Sequence, residues 1–377
     1  MSIKAEIVRL AKNLPGKKTK RKIVCIYIDD YGSIRIKDKK AYETLKSAGA
    51  PMDNSRYAKF DTLASTEDLQ MTFDVLTSVK DSQGHYACMT PFSIVANPDF
   101  EKIRESGFTH YFREPVTETL KRYGSSHENV FELWKQGVCE HIFMPEYHGT
   151  EHINVKRFME ALQRGHRTTR LAFDNECVAI PTLPGDESLK HYTTTFFIER
   201  AAENEALKED VRVGVKLFED LFGYCSRQFT PGAGIYSPAL HGVLKDEGIE
   251  YINVNRYTAY PMGDGRYVKQ FLSNGKRNEV GQKYVVRNCV FEPYWDSCKR
   301  NDNAVTGCLE NIAAAFRMHA PAIISIHRVN FVGSLESKHR DDSLQQLKEL
   351  LSEIIKRWPD VEFMDGSQMC DICFTNK

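Results

Sequence analysis

The stretch "KIVCIYIDD", residues 22–30, is a β-branched apolar run that stops abruptly at two carboxylates, the pattern of a strand buried on both faces. Short runs of the same kind recur: "YACMT", "THYFR", "EHIFMPE", "RLAFD", "SRQFTP", "EYINVN", "VVRNCVFEP", "PAIISIH" and "VEFMD". Many are separated by stretches with helical spacing of apolar positions, such as "NPDFEKIRESG", "NVKRFMEALQRG", "SPALHGVLKDEG" and "DSLQQLKELLSEIIKRW". Asn97 and Ser237 suit helix N-caps, and Gly107, Gly165 and Gly248 suit C-terminal stops. Strands alternating with helices imply an α/β fold with a mainly parallel sheet and right-handed crossovers, and this many units imply closure into a barrel.

No linker interrupts the series, so one barrel is expected over residues 23–375, preceded by a basic arm or helix over residues 1–22 that contains "PGKKTKRK". Two stretches break the rhythm and read as insertions, one near 180–195 and a Gly- and Tyr-rich one at 255–283, the second a candidate hairpin over the barrel mouth. Polar residues gather where the strands end: Asp29 and Asp30, Arg113, Glu146 with His148, Asp174, Pro231, Glu292 and His327. In a parallel barrel the loops converge at the carboxyl ends of the strands, so residues dispersed along the chain can meet there.

Composition narrows the partners. Lys plus Arg equals Asp plus Glu at 51 each, so no overall field draws the chain to nucleic acid or an anionic membrane. A small or neutral polar substrate fits better. No apolar run is long enough to span a bilayer, and the first apolar stretch, "AEIVRLAKNL", is broken by charge; a cytoplasmic location is expected. The ten cysteines lack framework spacing and read as mostly buried thiols, with Cys370 and Cys373 an incidental C-x-x-C pair.

Chemistry concentrates in "PEYHGTEHIN", residues 145–154, where His148 and His152 flank Glu151. Two imidazoles four residues apart can hold one metal ion, and a third ligand is needed, for which Asp30 is the natural candidate. At a strand end the backbone turns, so both Asp29 and Asp30 can serve one site, one binding metal and the other free to take a proton. The same pentapeptide also spells H-x-x-E-H, the inverted zinc-peptidase signature, in which Glu151 would activate water and Glu219 would be a third ligand. Pro145 and Gly149 disfavour a helix interior there, and that reading leaves Asp29, Asp30 and His327 unexplained.

The pattern resembles the polysaccharide deacetylases of carbohydrate esterase family 4, with the NodB homology domain, over roughly residues 23–370. "YIDDYG" keeps the aspartate pair of that family's first motif, "HGTEH" both histidines of the second, and "IISIH" the histidine of the last, in the family's order. The resemblance implies a distorted (β/α)7-type barrel, with Asp29 as base, Asp30, His148 and His152 as metal ligands, and His327 as acid. It implies one divalent metal, zinc first with iron, cobalt or nickel compatible, and release of acetyl groups from an N-acetylated or O-acetylated sugar or glycan. The chain departs from the pattern at Tyr31, which shifts a glycine, at Gly149, at Ser325, and at Arg227, which stands four residues before Pro231. Arg113, Arg287 or Arg328 can take the place of the arginine that braces the base. A neighbouring carboxylate would hold His327 protonated. Glu151 then reads as a residue bonding a histidine.

Glu146, Asp174 and Glu292 are candidates for substrate contact or structural ion pairs, as are Arg113, Pro231 and Arg328. Tyr236, Tyr294 and Trp295 can stack on sugar rings or pack the core. Beside the deacetylase stand the peptidase, a metal-dependent glycosidase of related fold, and a non-catalytic glycan binder.

Overall fold

The computed structural model describes residues 3–295 and 297–374. Residues 1, 2 and 375, at the ends of the expected arm and barrel, lie outside the described residues. Nine parallel strands form the main sheet: β1 (Lys22–Tyr31), β2 (Met89–Ile94), β3 (Glu146–Gly149), β4 (Gln228–Phe229), β5 (Tyr251–Asn253), β6 (Lys283–Val285), β7 (Cys289–Val290), β8 (Ala322–His327) and β9 (Val361–Phe363). Their spatial order is β6, β5, β4, β3, β2, β1, β8, β7, with β9 also pairing β1. The result is a distorted β/α barrel whose sheet curls, and among the described residues no ladder joins β6 to β7.

β1 is central because its sequence allows it: Ile23 to Ile28 are all fully buried, as a strand covered on both faces requires. One cluster of apolar side chains from β1, β8 and the helices Thr66–Leu76, Ala304–Arg317 and Ser337–Arg357 fills one side, and a second lies under the helix Glu203–Phe222. The basic arm begins with the helix Ile3–Lys12, tied to the body by Arg317 and Glu6 at 2.7 Å. Strands Tyr257–Pro261 and Tyr267–Phe271 pair antiparallel as a hairpin within the 255–283 segment.

Three local expectations are corrected. "RLAFD" lies in the helix Arg167–Asp174 rather than a strand, a confusion that short apolar runs invite. "THYFR" is mostly irregular, with only Arg113 entering the short strand Arg113–Pro115. Asn97 sits in the strand Ala96–Pro98, and Asp99 caps the following helix by accepting from the Lys102 amide.

The register of β1 builds the site. Asp29 pairs across the sheet with His327, so base and acid candidates end neighbouring strands. On the other side, the β1–β2 register shifts between Ile28 and Tyr31, a bulge, and Asp30 there adopts a φ of +79°. The bulge breaks the alternation that would send Asp29 and Asp30 to opposite faces. Gly32 completes the turn at φ +82°, where an added Cβ would lie 2.2 Å from the Ile94 carbonyl oxygen.

Candidate metal centre and active site

Asp30 Oδ1 lies 3.0 Å from His152 Nε2 and 3.4 Å from His148 Nε2. Among the described residues this trio is the one group of three His, Cys, Asp or Glu side chains whose ligand atoms converge, all within 4.8 Å. His148 ends β3, while His152 lies beyond it, before the helix Val155–Gln163, so the pair bridges a strand end and a loop rather than one helical face. Gly149 makes the bend at φ +133°, with the Phe196 ring 3.3 Å from where a Cβ would stand. His148 Nδ1 donates to the Thr230 carbonyl at 2.7 Å, while its Nε2 faces Asp30 without a hydrogen-bond partner. A buried imidazole oriented by a carbonyl, its free nitrogen among a second imidazole and a carboxylate, is the donor set a divalent transition metal takes. The residues present therefore fit the ion.

Arg287 grips Asp29 through two hydrogen bonds of 2.6 Å, one to each carboxylate oxygen. Burial works to raise Asp29, but this guanidinium outweighs it and holds the carboxyl below its ordinary range. His327 Nδ1 lies 2.6 Å from Glu292, and its Nε2 is 3.9 Å from Asp29. Burial opposes a charge on His327, yet Glu292 and the nearby aspartates raise its pKa to about 9. Glu292 is itself fixed by Arg56 at 2.6 Å and Asn330 at 2.7 Å. The arrangement offers an ionised carboxylate and a protonated imidazole next to one another beside the Asp30, His148 and His152 trio.

The helix Ser337–Arg357 supports this from behind. His339 Nε2 donates to the Val329 carbonyl at 2.7 Å, and its ring stacks on Phe60 at 3.9 Å, bracing the turn that follows His327. Arg328 is fully buried and forks onto Asp61 at 2.9 and 3.1 Å. It is a scaffold residue, not a substrate contact. Arg35 and Tyr57, which sequence reasoning did not single out, stand beside the same cluster: the Tyr57 ring is 6.0 Å from that of His327 and 5.2 Å from the Arg35 guanidinium. No motif marks them: Arg35 comes from the irregular segment after β1 and Tyr57 from the short helix Arg56–Phe60.

Other candidates do not reach the trio. Glu146 begins β3 instead of ending it, and is held by Ser226 at 2.5 Å and Ser367 at 2.6 Å, where burial pushes its pKa up to about 7. Arg113 pairs with Glu151 at 2.9 Å and Asp210 at 2.8 Å, and Glu151 is not among the side chains that converge on the trio. Asp174 ends a helix and lies on the surface, 3.6 Å from Arg104. Tyr236 is fully buried, its hydroxyl 2.9 Å from His241, beside a separate cavity of about 330 Å³ under the hairpin. Trp295 is 46% exposed. Tyr294 is tied to Asp342 and packs on Phe60. Pro231 is better placed: it opens the Gly232–Gly234 turn, and a Cβ on Gly232 would lie 3.6 Å from the His152 ring. Cys370 and Cys373 are buried in the core on the helix Gly366–Phe374.

A fold with this site invites comparison with carbohydrate-active enzymes. The model of glycosyl hydrolase family 57 matches residues 68–290, more than half of the chain, and the chain belongs to that family. The assignment replaces membership of carbohydrate esterase family 4, which the short motifs resemble. Among solved structures, the chain is similar to a protein classed as a polysaccharide deacetylase from Mycobacterium smegmatis, at 12% identity over 95% of this chain and 91% of that one, with a TM-score of 0.46. It is also similar to the α-amylase AmyC from Thermotoga maritima (11% identity, 93% and 74% covered, TM-score 0.45). A family 57 branching enzyme from Thermococcus kodakaraensis matches at 11% identity, with 95% and 72% covered and a TM-score of 0.44. No curated protein matches the sequence. The chain is thus a carbohydrate-active hydrolase by family, and among the described residues no helix is long and apolar enough to cross a membrane.

Proposed function

We propose that this chain is a metal-dependent hydrolase that removes acetyl groups from an N-acetylated sugar or glycan. The observation that carries the reading is the convergence of Asp30, His148 and His152 beside an arginine-held Asp29 and a glutamate-held His327. Asp30, His148 and His152 would hold the ion, zinc in the first place. When bound, it supplies a Lewis acid that lowers the pKa of water and polarises the acetyl carbonyl. Asp29 takes the proton of the attacking water. Arg287 keeps Asp29 ionised and aimed, so the carboxylate is ready at neutral pH. His327 carries its proton on Nε2, because Nδ1 is committed to Glu292, and delivers it to the departing nitrogen. An amine leaves poorly as an anion, so this proton transfer is what an amide substrate needs.

A second reading, cleavage of a glycosidic bond, is favoured by the family match over residues 68–290. Glycosidases place two carboxyl groups across the scissile bond, one as acid. Asp29 and Glu292 are the pair available here, but each is spent on a cation, Arg287 and Arg56 respectively, which works against either acting as an acid. The deciding experiment supplies N-acetylated and O-acetylated oligosaccharides to metal-reconstituted protein and measures acetate and new reducing ends together. Acetate release abolished by chelation is expected. New reducing ends that persist under chelation, without acetate, would overturn the deacetylase in favour of the glycosidase.

A further inference from the structure

Three guanidinium groups around the site each hydrogen-bond a carboxylate: Arg287 with Asp29, Arg328 with Asp61, and Arg56 with Glu292. Arg35 is different. It is only 7% exposed, yet its side chain makes no hydrogen bond among the described residues, and its Nε is buried without a partner. The carboxylate nearest to it, Asp61 Oδ2, is 3.6 Å away, outside hydrogen-bonding distance, and the other Asp61 oxygen is forked by Arg328. A buried guanidinium normally satisfies its donors, because leaving them unmade costs the full desolvation of a charged group. Its position explains the exception. The ring of Tyr57 is 5.2 Å from the Arg35 guanidinium and 6.0 Å from the His327 ring, so Arg35 shares a neighbour with the acid candidate.

We infer that Arg35 receives a carboxylate carried by the substrate, so that the sugar bound at this site is a sugar acid. Arginine presents a planar fork that matches a carboxylate in two parallel hydrogen bonds, and the match is strongest where water is excluded. Charge points the same way. Arg35 and Arg328 share the single carboxylate of Asp61, which leaves one positive charge there that a neutral sugar does not offset and an acidic one does. A phosphate or sulfate ester shares this chemistry. The carboxylate is preferred because a single planar guanidinium fork matches its two oxygens. The inference rests on the reading of this site as the one that takes a sugar, and holds whichever bond is cleaved.

Equilibrium binding separates it from that reading, because it needs no turnover. Glucuronate, glucose 6-phosphate, glucose 6-sulfate and glucose are titrated calorimetrically into metal-loaded wild type and into Arg35→Gln and Arg35→Lys variants. Glucuronate should bind the wild type at least tenfold more tightly than glucose. Arg35→Gln should abolish that preference with glucose unaffected, and Arg35→Lys should recover it only in part, since an ammonium lacks the fork. Equal binding of glucuronate and glucose to the wild type overturns the inference even if the variants fail to fold. Tighter binding of the phosphate or sulfate ester overturns the choice of a carboxylate. A preference that survives Arg35→Gln assigns the anion to another residue. Loss of acetate release from neutral sugars, with the glucuronate preference intact, would count against the deacetylase and leave this inference standing.

Discussion

Replacing Glu292 with glutamine tests the acid at its source. The substitution keeps a hydrogen-bonding side chain of the same size facing His327, Arg56 and Asn330, and removes only the charge. That charge is the main reason the His327 pKa stands at about 9 instead of 6.5, against the opposing effect of burial. The difference corresponds to about 3 kcal/mol between the two protonation states at 1.36 kcal/mol per unit. At pH 8 a group of pKa 9 is mostly protonated, and one of 6.5 hardly at all, so turnover should fall roughly 30-fold, whereas at pH 6 the two proteins should differ by less than about twofold. A nearby dication shifts both proteins in the same direction, so the displacement between them is the measured quantity. The assay is the pH profile of kcat/KM for acetate release from an N-acetylated sugar, wild type against Glu292→Gln. An alkaline limb that moves down by about 2.5 units supports His327 as the acid. A loss of equal size at pH 6 and pH 8, with the limb unmoved, would refute the reasoning and reduce Glu292 to a packing residue.

Metal analysis should find one equivalent in wild type and in Asp29→Asn, and little in His148→Ala or His152→Ala, with Asp29→Asn losing roughly 100-fold or more in turnover. Full occupancy in both histidine variants would dismiss the trio as a metal centre. His339 is buried neutral, its pKa driven down to about 4 by burial, so the unfolded chain takes up a proton that the folded one refuses. Stability is therefore complete above pH 6.5 and should decline by about 3 kcal/mol as pH falls from 6.5 to 4, and urea unfolding of wild type against His339→Gln isolates that slope. Gly32→Ala should cost about 2 kcal/mol or more in the same unfolding assay, from a left-handed φ and a contact with the Ile94 carbonyl, and a change within about 0.5 kcal/mol would show that the bulge yields.

What the sequence disclosed depended on how local each signal was. Asp29 with Asp30, His148 with His152, and His327 were legible because each sits at the end of an apolar run and keeps a short spacing. Their partners were harder to read. Arg287 could be named only as one of three arginines, since which guanidinium meets Asp29 depends on a strand paired far away in sequence. Glu292 was noticed for its strand-end position, but nothing in "VFEP" says that it faces His327 rather than a substrate. Glu146 misled because polarity beside a strand does not tell which end of it the residue occupies, and it begins β3 rather than ending it. Arg35 left no trace, since a basic residue in an irregular segment is ordinarily a solvated one.

Asp30 joins two demands that conflict. Its side chain completes the trio, while its backbone at φ +79° occupies a region that glycine and asparagine tolerate better than aspartate does. The mutational neighbourhood of this chain is therefore lopsided. Asp30→Gly or Asp30→Asn discards the carboxylate and eases the backbone in one step, so a descendant that merely holds sugars lies downhill in stability from one that cleaves them. The return journey must restore a side chain that the bulge resists, and a lineage that has lost this aspartate would need a gain in stability elsewhere before catalysis could reappear.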